Sequence, residues 1–174
     1  MTLKATLYNL VQPLLGETTI WLDQSAPRPA LPYVGIRITP FTAVNYDHYD
    51  APDANGDMVI RGDREFTLNV QRYGPDSVMA LSAFVDNLRK YTVIDAFMAA
   101  KIAVVDTALP VTDISFAQDG VKYEPRAAVD IRFRVKSEMV DTVELIETVI
   151  TDGDLLDQTG AIVETIDTVS VLPA

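Results

Sequence analysis

Apolar residues recur along this chain with two periods, and the switches between them divide it into elements. Leu3, Leu7, Leu10, Val11 and Leu14 fall on one helical face, which predicts an amphipathic first helix over residues 3–15. Pro13 has no N–H for the carbonyl of Asn9, so that helix is expected to end or kink near Gln12. Residues 33–44 alternate, with Val34, Ile36 and Ile38 on one side, and read as a strand. The polar run 45–57, with Pro52 and Asn55-Gly56, reads as a loop. Alternation resumes over 58–73, where Phe66, Leu68 and Val70 share a face. These two strands are expected to pair antiparallel across the loop.

At Tyr73-Gly74-Pro75-Asp76 the period changes from 2 to 3.6. Gly-Pro-Asp supplies helix-start chemistry. Val78, Leu81, Val85 and Leu88 then line one helical face, widened by Met79 and Phe84. Thr92-Val93-Ile94-Asp95 has the form of a capping box and predicts a second helix to about Lys101. Short strands are expected at 102–106 and 111–117, followed by a turn at Gln118-Asp119-Gly120. The clearest strand comes next. Val121, Tyr123, Ala127, Val129, Ile131, Phe133 and Val135 hold odd positions, while Lys122, Glu124, Arg126, Asp130, Arg132, Arg134 and Lys136 hold even ones. One face therefore meets the core and the other meets solvent or a partner. A further strand is predicted at Val143–Ile150. The tail has a Gln158-Thr159-Gly160 turn and then Ile162–Val171, which reads as an extra hairpin or a strand added to a neighbour's sheet. This order predicts an α+β fold, a mostly antiparallel sheet with helices packed on one face. Residues 1–151 read as its single domain and 152–174 as a C-terminal extension.

Between the first helix and the first strand lies Trp21, the one tryptophan, followed by Pro27, Pro29 and Pro32 and then Tyr33. Proline fixes φ and pushes its predecessor toward extended geometry, so residues 26–33 are expected to cross the surface as a stiff strap. A stiff strap with one large ring suits contact with another chain better than chemistry.

Composition narrows the function. With 174 residues the chain has enough length for a proper core. The absence of cysteine removes disulfides and thiolate chemistry. No apolar run approaches the roughly 18 residues of a membrane helix, and the N-terminal segment lacks a signal-peptide pattern. These features predict a soluble protein made in a cytoplasm, without membrane partners. The net charge is −11, from 14 Lys and Arg against 25 Asp and Glu. Residues 1–136 hold every base and 16 of the acids, for −2; the nine remaining acids follow Lys136 with no base among them. Such a surface is not built to grip a phosphate backbone.

Chemical motifs are sparse. Arg61-Gly62-Asp63 interrupts a strand pattern and reads as a bulge or tight bend. Asp53-Ala54-Asn55-Gly56-Asp57 spaces oxygen side chains as calcium loops do, yet lacks their later bidentate Glu, and reads as a polar hairpin loop. His48 is the single histidine and lies between Tyr46 and Tyr49, which reads as a mobile or partner-contacting aromatic loop rather than a metal or triad site. Neither a P-loop nor a dinucleotide fingerprint is present, so no catalytic residue, cofactor or metal is assigned. Arg132, Arg134 and Lys136 form a basic stripe, read either as a solvated face or as a set of ion pairs to the next subunit.

Trp21…Gln24…Pro27-x-Pro29-x-x-Pro32-Tyr33, Val70-Gln71-Arg72-Tyr73-Gly74, and Arg126 to Phe133 followed by Val143-Glu144-Leu145-Ile146-Glu147 together resemble the neck or tail-terminator proteins of tailed bacteriophages. The resemblance spans most of residues 15–151. It implies a structural, non-enzymatic virion protein of the neck, assembled in the host cytoplasm. It also implies a ring, usually of six copies, that stops tail-tube assembly and docks the head connector. The expected partners are other copies of the chain, the tail tube, the sheath where there is one, and the connector, with DNA passing through unbound. The strap residues Trp21, Pro27, Pro29, Pro32 and Tyr33, the loop residues Tyr46, His48 and Tyr49, and the stripe Arg132, Arg134 and Lys136 are the candidate interface positions. Glu138, Asp141, Glu144 and Glu147 are candidates for an acidic lumen. The alternatives are a head-completion adaptor, a minor tail or baseplate component, or a calcium- or small-ligand-binding module.

Overall fold

The computed structural model describes residues 2–25, 27–106, 110–118, 122–144 and 148–171. Among these the elements run α1 (Leu3–Leu15), β1 (Thr18–Trp21), β2 (Tyr33–Ala43), β3 (His48–Tyr49), β4 (Asp57–Tyr73), α2 (Ser77–Asn87), α3 (Tyr91–Ala99), β5 (Ile102–Val104), β6 (Thr112–Asp113), β7 (Phe116–Gln118), β8 (Lys122–Glu124), β9 (Arg126–Thr142), β10 (Thr148–Leu156) and β11 (Ile162–Val171). The chain divides into two compact units, 1–46 with 62–137, and 47–61 with 138–174; β4 and β9 carry residues of both.

In the first unit the strand order is β1-β2-β4-β9-β5, with β6 also on β9. The fold is α+β with a mostly antiparallel sheet, as the alternation predicted. The expected 33–44 and 58–73 pair is antiparallel, Val34 opposite Arg72 and Ile38 opposite Leu68, with a bulge between Thr39 and Phe41. Val34, Ile36, Phe66, Leu68, Val70, Ala127, Val129, Ile131 and Phe133 form the buried sheet face. They join Leu7 and Val11 of α1, Leu81, Phe84 and Val85 of α2, and Phe97 of α3 in one core. Phe97, Phe133 and Phe66 stack in series with centroids 5.4 and 5.6 Å apart, which fixes α3 over the sheet.

Several local expectations change. α1 continues through Pro13 to Leu15, because Pro13 lies in the last turn and only one internal bond is forfeited. Gly16, at φ 68°, then returns its N–H to the Gln12 carbonyl. Residues 18–21, left unassigned by the pattern, pair parallel with β2. The loop 45–57 contains the two-residue β3. Asp76 and Lys90 precede α2 and α3 without a side-chain cap, so neither helix uses the predicted capping chemistry. Met79 does not widen the apolar face of α2 but projects into solvent. The long alternating strand is two strands, since Pro125 interrupts it. β8 pairs with β7, and the phase inverts there: Glu124 is buried and Tyr123 exposed. The predicted Gln118-Asp119-Gly120 turn lies largely outside the described residues.

In the second unit, β3 pairs with β4 (His48 opposite Arg61), and β10 pairs antiparallel with β11 from Thr148 opposite Val171 to Leu156 opposite Ile162. The strand predicted at 143–150 is displaced: Val143 and Glu144 are not in a strand, and β10 starts at Thr148. Asp157 closes the hairpin turn by accepting from the Thr159 and Ala161 N–H groups at 2.7 and 3.0 Å. Arg61, in the tripeptide read as a bend, lies in continuous strand and ion-pairs with Asp50 and with Glu138.

Candidate functional site

The face of the sheet turned away from the helices is polar. The alternation that sends Leu68 and Val70 inward sends Asn69, Gln71 and Tyr73 outward. Tyr33 and Tyr73 are cross-strand partners, and their rings stack with centroids 4.5 Å apart at 6°. Arg28, from the middle of the strap, lies over both rings, 5.5 Å from that of Tyr33 and 5.3 Å from that of Tyr73. Its Nε donates to the Tyr33 hydroxyl at 2.8 Å, and its other end pairs with the Glu124 carboxylate, whose side chain is only 7% exposed. The strap is therefore fastened by a cation set between two aromatic rings and a buried acid.

From this clamp a chain of hydrogen bonds crosses the sheet. Arg126 stands 4.6 Å over the Tyr73 ring and donates to the Gln71 side-chain oxygen, which also accepts from the Tyr73 hydroxyl. Gln71 donates to Asn69 at 2.6 Å, and Asn69 to Asp130 at 2.7 Å. Burial pushes the Tyr73 hydroxyl above the usual phenol range, partly offset by the Arg126 charge. Behind the same strand end, Arg72 forms a two-pronged pair with Glu17, Nε to Oε2 at 3.0 Å and Nη2 to Oε1 at 2.6 Å, and donates to the Pro75 carbonyl. Gly74, at φ 122°, donates to the Pro125 carbonyl, and a Cβ there would stand 3.1 Å from Pro32. Strap, helix entry and the β8–β9 joint thus converge on residues 72–74.

The residues singled out from sequence fall in different settings. Trp21 is partly buried against the core, with Lys4 Nζ 5.1 Å from its ring centroid and 2.5 Å from Asp23. Pro27 and Pro32 are exposed, Pro29 is half-buried, and Tyr33 is buried beneath Arg28. Tyr46 is fully exposed. In the other unit, Tyr49 is exposed and His48 Nε2 lies 3.3 Å from Asp50, which Arg61 also engages. Arg132 and Arg134 both reach Glu65, at 3.4 and 3.1 Å, and Arg132 approaches Asp106, so these two charges are compensated within the chain. Lys136 is exposed with no ion-pair partner among the described residues. Glu138, Asp141 and Glu144 are exposed, and Glu147 lies outside the described residues.

In the Asp53–Asp57 loop, Asp53 Oδ1 accepts from the N–H groups of Asn55 and Asp57 at 2.8 and 2.9 Å, which holds its carboxyl below the ordinary range. Asp57 accepts from Thr142 at 2.6 Å. The oxygens thus lock the turn, and no group of three His, Asp or Glu among the described residues is arranged to hold a metal. Sequence reasoning missed Arg28, Glu124 and the Arg72–Glu17 pair. The outward parity of Tyr73 and Arg126 was readable, but the phase change at Pro125 hid Glu124.

Residues 1–159 match the family described as phage neck terminator protein. This span reaches further at both ends than the 15–151 of the sequence resemblance. No curated protein matches the chain.

Proposed function

Because the chain belongs to the phage neck terminator family, a family of structural proteins of the virion neck and not a known enzyme family, we propose that it forms a ring at the head-proximal end of the tail. In this reading the ring has six copies, ends growth of the tail tube and joins the tail to the head connector. The family match over residues 1–159 carries the proposal. The clamp supports it physically: Arg28 pins the strap so that Pro27, Leu31 and Pro32 remain exposed on a pre-ordered support. A surface ordered before it meets a partner loses less entropy on binding. Arg132 and Arg134 already have acids of their own, so the ion pairs to a neighbour are assigned to Lys136 rather than to the whole stripe.

The charge distribution adds a second part to the proposal. Glu138, Asp141, Glu144 and Glu147 belong to the segment that holds nine acids and no base. Facing a lumen, Asp141, Glu144 and Glu147 repel passing DNA instead of binding it, while Arg61 offsets the charge of Glu138. The test is mass measurement by light scattering on the purified chain, alone and with tail-tube protein. A ring-sized species that binds tube ends supports the reading, and a monomer that ignores tubes overturns it.

A further inference from the structure

Helix α3 is apolar on two sides, and only one of them is used. Phe97 is buried, with Val93 and Ala100 packed against the same core, while Tyr91, Ile94 and Met98 stand outward at intervals of three and four residues. Tyr91 is 76% and Met98 64% exposed, values seldom left in water on a single short helix. Lys90 precedes the helix and Lys101 follows it, and neither has an ion-pair partner among the described residues. The surface thus carries an apolar row of Tyr91, Ile94 and Met98 with the exposed Asp95 beside it, and a lysine at each end. It fits an apolar patch rimmed by acids.

The chain carries such a patch. At the closed end of the β10–β11 hairpin, Leu156 and Ile162 are cross-strand partners, each 60% exposed. Asp154 precedes Leu156 and Asp157 follows it, within the segment that has no Lys or Arg. The hairpin is a two-stranded sheet, an arrangement that is marginal in water unless something packs on it.

We propose that α3 of one copy docks on the hairpin end of a second copy, with Tyr91, Ile94 and Met98 against Leu156 and Ile162, and with Lys90 and Lys101 facing Asp154 and Asp157. This rests on the reading that copies of the chain assemble. The two surfaces differ, so the contact is head-to-tail, the kind that closes into a ring when its rotation permits.

The test places a photoreactive phenylalanine analogue at Met98 of the full chain. Isotopically light and heavy copies are mixed, with tail-tube protein present. Light-to-heavy cross-links from position 98 into residues 148–162 are expected. Lys90→Glu with Lys101→Glu weakens assembly about tenfold, and Asp154→Lys in the same chain restores part of it. Assembly with cross-links confined to one copy, directed elsewhere or absent overturns this contact and leaves the ring reading standing. No assembly under any condition overturns both.

Discussion

A carboxylate as buried as that of Glu124 is stable only while a cation stays beside it, and the strap supplies that cation as Arg28. Arg28→Ala is expected to cost about 2–3 kcal/mol in chemical denaturation, because it strands the acid as well as removing the ring contacts. Glu124→Gln in that background should recover part of the loss. Arg132→Ala, whose side chain is half-exposed, should cost less than about 1 kcal/mol. Tyr73 adds a pH dependence. Burial raises its folded pKa above 10.0, so its contribution is complete below pH 10 and is lost as pH climbs through the raised value. The chain should therefore lose stability faster than Tyr73→Phe in denaturant titrations above pH 10, and parallel curves would contradict this. At this scale the sequence was half legible. Alternation placed Tyr73 and Arg126 on the outer face, whereas Arg28 and Glu124 are 96 positions apart and no local period connects them.

Elements are joined at residues 72–74. Gly74 combines a left-handed φ with a Cβ path that runs into the Pro32 backbone, so Gly74→Ala meets strain from both sides. It is expected to cost about 1–3 kcal/mol and to loosen the strap, read as faster proteolysis between Pro27 and Pro32. Gly153, which has open space around a Cβ, should accept Ala with little change in melting temperature. Strand and helix periods were legible because core burial enforces them, as at Phe66, Leu68 and Val70. The failures came where backbone bonds took over. Thr92-Val93-Ile94-Asp95 has capping chemistry, yet α3 opens at Lys90 without a side-chain cap. β1 is four residues long, too short for its pairing with β2 to leave a period.

For the whole molecule, the fold class followed from element order, and the polar outer face followed from the parity of β4 and β9. Assembly is another matter, since an interface between copies leaves no period in one chain. The proposed contact between copies rests on an exposed apolar stripe on α3, a two-stranded hairpin and a charge of −9 beyond Lys136. If this chain ends the tail tube and joins it to the head, imaging tails assembled without it is the decisive experiment. Tubes of unregulated length that fail to join heads are expected. Tails of normal length, joined to heads, would contradict that role.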